Sequence, residues 1–216
     1  MIDKIKQLSK EFLPEIIRIR RHIHQHPELS FEEYKTAEFI QSELIKIGIP
    51  FTYGHVNTGI VGTIEGKNPH SKTILLRADI DALPIQEEND VQYKSNNDGV
   101  MHACGHDAHS ASLLGSAMIL NQLKNDFSGT IKLLFQPAEE KLPGGAKLLI
   151  EEGVIKKINP NKCIAQHVYP ELPVGKVGFK KGVYMASTDE LHVTVNGKGG
   201  HAALPQQLIE PVIISP

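Results

Sequence analysis

Apolar residues recur at near-helical spacing from the start of the chain. Ile5, Leu8, Phe12, Ile16, Ile17 and Ile19 predict an amphipathic opening helix that Pro14 is expected to break or kink. In His26-Pro27-Glu28-Leu29-Ser30-Phe31-Glu32-Glu33, Ser30 and Glu33 have the spacing of a capping box. They predict a second helix running to about Ile47 and ended by Gly48. Ile60 to Ile64 and Thr73 to Arg77 read as strands joined through Gly-Lys-Asn-Pro, hence a hairpin. The polar stretch from Glu87 to Met101 reads as a long loop. Beyond His109, Ala111, Leu114, Ala117, Met118, Leu120 and Leu123 restore the helical period. Thr130 to Phe135 is then a strand, Gly144 to Ile150 a helix ending by Gly153, and Cys163 to Gln166 a short strand. Strands alternating with helices predict an α/β/α sandwich with a mixed sheet, in which ligands gather beyond the carboxyl ends of the strands. From Val177 the pattern changes. Leu191 to Val195 reads as a strand, followed by the glycine-rich Gly197-Lys198-Gly199-Gly200-His201 and part of a helix, too little to close a second core.

Composition narrows the class of protein without naming its chemistry. The chain has 216 residues, 40% hydrophobic and 22% charged, with a formal net charge of -2. That balance excludes a disordered chain and a basic nucleic-acid surface, and favours a small-molecule partner. The N-terminus alternates charged and apolar residues and lacks the apolar region of a signal peptide, and no later segment reads as a membrane span. A cytoplasmic location is expected. Cys104 and Cys163 are expected to be free thiols, with Cys163 a small core residue.

The candidate chemistry centres on Met101-His102-Ala103-Cys104-Gly105-His106-Asp107-Ala108-His109, where thiol, imidazole and carboxylate crowd around one flexible glycine. Such donors suit zinc, manganese, cobalt or nickel, and the spacing leaves open whether His102, His106 or His109 is the ligand. Glu139 and Glu140 follow a strand, as does His167, and Asp79 and Asp81 follow another. Adjacent carboxylates point different ways, so one can bind metal while the other handles protons. A site of two ions about 3.5 to 4 Å apart would polarise a carbonyl and hold a hydroxide. Two other classes compete: a cysteine hydrolase with Cys104 activated at a helix N-terminus, and a zinc-stabilised binding module with a closed site. His22, His24 and His26 lie among Arg18, Arg20 and Arg21 and read as a solvated helix face.

These motifs together resemble one family, the co-catalytic metallopeptidases, in the amidohydrolase branch that includes hippurate hydrolases, N-acyl-amino-acid amidohydrolases, N-acetyldiaminopimelate deacetylases and indole-acetyl-amino-acid hydrolases. The resemblance is carried by His26-Pro27-Glu28-Leu29, Arg77 to Pro84, Met101 to Asp107, Gln136 to Glu140, His167 and Gly199 to Pro205. It implies that Cys104, His106, Glu140 and His167 bind two divalent ions. Glu139 would be the general base that takes a proton from the metal-held water, Asp81 an outer carboxylate orienting a ligand, and His201 a group for the oxyanion or substrate carboxylate. Asp79 is a weaker candidate for the task of Asp81. The implied reaction is hydrolysis of the amide of an N-acyl or N-aroyl amino acid, with a dipeptidase or carboxypeptidase as the enzymatic rival. Residues 1–180 would then be the N-terminal part of a catalytic domain, and residues 181–216 the start of a small α+β lid and dimerisation domain. Members of the family run to nearly twice this length, form homodimers and carry a further metal-binding histidine beyond the lid. The chain is therefore expected to be an N-terminal portion, and an inactive metal-binding fragment is the alternative to an enzyme.

Overall fold

The computed structural model describes residues 1–186 and 191–214. It divides into two compact units, Met1–Pro170 and Glu171–Pro216. The first is built from α1 (Ile2–Gln25), α2 (Tyr34–Ile47), β1 (Phe51–His55), β2 (Gly59–Glu65), β3 (Thr73–Asp79), α3 (His106–Gln122), β4 (Thr130–Gln136), α4 (Gly145–Glu151), α5 (Val154–Ile158) and β5 (Lys162–Ala165).

The five strands form one sheet in the order β1-β2-β4-β3-β5. β4 carries the consecutive buried residues Leu133, Leu134 and Phe135, a run that needs cover on both faces and therefore occupies the centre. β3 lies parallel to β4 with Asp79 opposite Gln136, and β5 lies parallel to β3. β2 runs antiparallel to β4. Alternate side chains divide between two cores. Ile60, Ile64, Leu133 and Phe135 meet α1, α2 and α3 through Ile19, Ile40, Leu44 and Leu114, while Val61, Leu75 and Leu134 meet α4 and α5 through Leu149 and Val154. The result is the three-layer α/β arrangement with a mixed sheet that the sequence predicts.

Several local expectations are corrected. β2 and β3 do not form a hairpin, because β4 inserts between them and offers each a fully buried ladder. The hairpin partner of β2 is β1, which the sequence reading overlooked. Pro14 does not end α1, which continues to Gln25. Pro14 and Lys10 both lie on the exposed side, where water can serve the carbonyl that proline leaves unpaired. Ser30 and Glu33 do not make a capping box. The amides of Lys35 and Thr36 are received instead by Glu28, at 3.2 and 2.8 Å. Gly48 closes α2 in the left-handed conformation as expected, at φ 74°. Cys163 is exposed, because β5 is an edge strand whose residues lack cover. In the second unit Leu191 to Val195 takes no strand pairing among the described residues. A bridge joins Lys198 to Ile209 there, and α6 (Pro211–Ile214) is a single turn.

The histidines of α1 also depart from a solvated face. His26 is exposed, but His22 stacks on Phe39 with ring centroids 3.9 Å apart and His24 is buried. His24 bridges two buried carboxylates, Asp107 Oδ2 at 2.9 Å and Glu87 Oε1 at 3.0 Å, while Arg20 Nε reaches Asp107 Oδ2 at 3.0 Å. This network ties α1 to the first turn of α3 and to the long polar loop. The bond to Asp107 raises the His24 pKa against the opposing effect of burial, and Glu87 adds to the rise. The stabilisation is therefore complete below the ordinary value of 6.5 and is lost as pH rises through the raised folded value. His24→Leu, which leaves Asp107 and Glu87 without their shared donor, is expected to lower stability by about 3 kcal/mol at pH 6 in urea unfolding. The difference from the parent should narrow towards pH 9.

Candidate metal centre

The carboxyl ends of β3, β4 and β5 lie side by side, so the segments that follow them converge. β3 ends on Asp79 and leads to Asp81, both 1% exposed. β4 leads through Pro137 and Ala138 to Glu139 and Glu140, and β5 leads to His167. The Cys104 loop arrives from the other direction and enters α3 at His106. Gly105 makes that entry possible. Its φ is 90°, and a β-carbon there would lie 2.4 Å from Val168 Cγ2, so only glycine allows both the turn and the approach of the segment carrying His167.

Each buried carboxylate is held by named donors. Asp79 accepts from Arg77 Nη1 at 2.8 Å and from His109 Nδ1 at 2.6 Å. Burial pushes its carboxyl up, but the His109 bond, then the charges of Arg77 and His106, hold it down at about 2. Asp81 Oδ2 accepts from Ser30 Oγ at 2.6 Å and from the Glu140 amide at 3.0 Å. His106 Nδ1 lies 2.9 Å from the Asp81 carbonyl and 3.2 Å from Asp81 Oδ1. Both are acceptors, so Nδ1 carries the proton and Nε2 is left to face the site.

On that face two ligand atoms remain unsatisfied. His106 Nε2 and Glu140 Oε1 are buried without a hydrogen-bond partner among the described residues, and they lie 3.6 Å apart. Asp79 Oδ2 is 3.7 Å from the same nitrogen. Electron pairs pointing at one another in a buried space need a proton or a cation between them. Burial lowers the affinity of His106 for a proton, but the Asp81 bond and the charges of Asp79, Asp81 and Glu140 raise it overall, a local field that favours positive charge. Cys104 Sγ stands 3.2 Å from His167 Nε2, whose other ring nitrogen donates to the Val168 carbonyl at 2.7 Å. Among the described residues, three donor sets have ligand atoms within 4.8 Å of one another: Cys104, His106 and His167; His106, Glu139 and Glu140; and Asp79, His106 and His109. The residues therefore fit divalent metal ions, with mixed sulfur, nitrogen and oxygen donors suited to zinc or its neighbours.

Hydrogen bonding separates one of the alternatives left by spacing. His109 donates from Nδ1 to Asp79 and accepts the Val168 amide at Nε2, at 2.9 Å, so both its nitrogens are engaged. His102 lies outside these sets, with both ring nitrogens buried and without a hydrogen-bond partner among the described residues, and burial lowers its pKa to about 4. A cysteine nucleophile is disfavoured. Burial, then the bond to Glu140 and the charges of Glu140, Glu139 and Asp79, push the Cys104 thiol up to about 12, away from the reactive thiolate. Glu139 reaches solvent, and partial burial with the adjacent Glu140 charge raises its carboxyl above the ordinary value. His201 belongs to the second unit, where it is exposed and accepts the Ala203 amide at 3.1 Å. Sequence reasoning missed the pairings of Arg77 and His109 with Asp79. The period of two in Arg77-Ala78-Asp79 puts the first pair on one strand face and could have found it.

Comparison with known proteins agrees with this arrangement. Residues 75–212 match the profile of peptidase family M20/M25/M40. The chain is 43% identical over 212 residues to an N-acyl-L-amino acid amidohydrolase of Geobacillus stearothermophilus, covering 98% of this chain and 56% of the relative. It is 45% identical over 217 residues to thermostable carboxypeptidase 2 of Saccharolobus solfataricus, covering 100% and 54%. Among solved structures, the YXEP protein of Bacillus subtilis, described as a dinuclear metal binding peptidase from the M20 family, is 42% identical. It superposes with a TM-score of 0.76, covering 80% of this chain and 48% of that one. The chain thus spans about half the length of the curated relatives it matches. With the donor sets at the strand ends and the profile match over most of the chain in agreement, this protein belongs to peptidase family M20/M25/M40.

Proposed function

We propose that the protein hydrolyses the amide bond of N-acyl or N-aroyl amino acids at a dinuclear metal site held by Cys104, His106, Glu140 and His167. The observation that carries this reading is the approach of His106 Nε2 to within 3.6 Å of Glu140 Oε1, both buried and without a hydrogen-bond partner among the described residues. Similarity to amidohydrolases and deacetylases over nearly the whole chain supports the choice of reaction. Divalent ions at this position, whether zinc, manganese, cobalt or nickel, supply Lewis acidity to the amide carbonyl and to water.

The side chains of this protein divide the remaining work. Glu139, exposed beside the donor cluster, takes a proton from the attacking water on a carboxylate oxygen and passes it to the departing amine. Its raised pKa suits that exchange, since the carboxyl must hold a proton briefly before giving it up. Asp81 orients two groups at once. It receives the His106 Nδ1 proton and the Glu140 amide, so imidazole and carboxylate keep one relative geometry. Asp79 fixes His109, whose Nε2 takes the Val168 amide beside His167. In this reading His201 serves the oxyanion or the substrate carboxylate within a homodimer. The substrate is small, and neither nucleic acid nor membrane takes part. A cytoplasmic location belongs to the same reading; no helix among the described residues is long and apolar enough to cross a membrane.

An assay of N-acetyl and N-benzoyl amino acids beside dipeptides tests the reaction, and exclusive cleavage of peptides would reject the acyl-amino-acid reading. Glu139→Gln is expected to reduce kcat by about a thousandfold or more while bound metal, measured by elemental analysis, stays unchanged. Retained turnover would remove Glu139 from its role. Cys104→Ala is expected to lower the metal content of the purified protein. Unchanged stoichiometry would overturn the ligand assignment at its centre.

A further inference from the structure

We propose that Glu33 is a positioning residue that sets the turn carrying Glu139 and Glu140 from the far side of the sheet edge. The inference rests on the roles given to those two residues above. Glu33 is 0% exposed, and its carboxylate is met by three hydrogen-bond donors. Its Oε1 accepts the Phe31 amide at 2.9 Å and the Ala138 amide at 2.8 Å, and its Oε2 accepts the Thr58 hydroxyl at 2.7 Å. An acceptor-only group is what three converging donors require.

The reason these donors converge lies in the backbone. Ala138 is fully buried with φ 47°, and Phe31 has φ 71°, both in the left-handed region that residues with a β-carbon rarely enter. Such a conformation persists only when the surroundings over-determine it. At Ala138 they do so from both sides: Glu33 receives its amide, and its carbonyl receives the Gly145 amide at 2.7 Å. Gly145 cannot be replaced in that contact, since a β-carbon would fall 1.8 Å from the Pro137 carbonyl oxygen. Two residues on, the Glu140 amide is received by Asp81. The turn is thus held by one carboxylate from the segment before α2 and another from beyond β3. Without the first, a buried amide loses its acceptor and Ala138 is free to leave the left-handed region, which redirects both following side chains.

The test uses the full chain loaded with Mn2+, reading Mn2+ affinity by calorimetry and kcat and KM on N-acetyl-L-methionine, below the unfolding temperature of each variant. Glu33→Ala is expected to weaken Mn2+ binding and lower kcat by about 10- to 100-fold each, with KM changing less. Glu33→Gln is expected to restore most of both, because its carbonyl can take the two amides while its amide group donates to the Thr58 hydroxyl. Leu44→Ala, a buried α2 residue outside the site, is expected to lose thermal stability without either effect. Parental affinity and kcat in Glu33→Ala, the same loss in Leu44→Ala, or a Gln variant as defective as the Ala variant would each overturn the proposal. Should Glu33→Ala fail to fold, Glu33→Asp takes its place. One methylene shorter, it cannot span all three donors and is expected to show the same loss, and parental values in it would overturn the proposal. If the parent hydrolyses no acyl amino acid, the proposed function fails while the Mn2+ affinities still decide the role of Glu33.

Discussion

Parallel pairing of β3 with β4, in the register that sets Asp79 opposite Gln136, makes both strands finish at the same edge of the sheet. Because β5 pairs parallel with β3 in turn, a third strand finishes there as well. Parallel neighbours require the chain to cross back between strands, and α3, α4 and α5 are those returns. Polar residues just past a strand end cannot join the ladder and sit where the layers open. Asp81, Glu139, Glu140 and His167 are brought to one edge for that reason.

Collecting so many carboxylates in a buried space creates an electrostatic problem that the neighbouring residues only partly solve. Arg77 pairs with Asp79 and His109 donates to it, and Ser30, His106 and the Glu140 amide satisfy Asp81. Against the opposing effect of burial, both acids are thereby kept ionised. Beside these contacts His106 Nε2 and one oxygen of Glu140 are left over, close to a thiol whose ionisation burial and the charges of Glu140, Glu139 and Asp79 suppress. A cation there would answer the remaining electron pairs, since a bound metal ion accepts such pairs and stabilises a thiolate among its ligands.

Rigidity at the edge comes from backbone geometry that few residues tolerate. Gly105 lets Val168 approach the start of α3, and Gly145 lets its amide close on Ala138. The latter contact and the carboxylate of Glu33 hold a left-handed alanine immediately before the two glutamates. The α1 network performs a similar task behind the site, where Asp107 accepts from both Arg20 and His24 one residue after His106. The geometry of the donor sets therefore depends on residues outside them, a part that outer carboxylates commonly play around metal sites.

The sequence by itself determined the alternation of strands and helices, the end of α2 at Gly48, and the residues that meet at the strand ends. Period and turn chemistry are local properties, and donor motifs are contiguous, so both can be read along the chain. Pairing between strands is not local. The supposed hairpin of β2 with β3 failed because a later segment, β4, filled the place between them. Ser30 and Glu33 illustrate the same limit from the polar side. Three residues apart, they have the pattern of a cap, yet in the folded chain they bond Asp81, Thr58 and Ala138 from distant segments. His24 looked solvated for want of visible partners, which lie 63 and 83 residues away. Only tertiary structure decided which histidine nitrogen remained open and which carboxylates were already engaged, because a buried polar group takes its state from neighbours that the fold supplies.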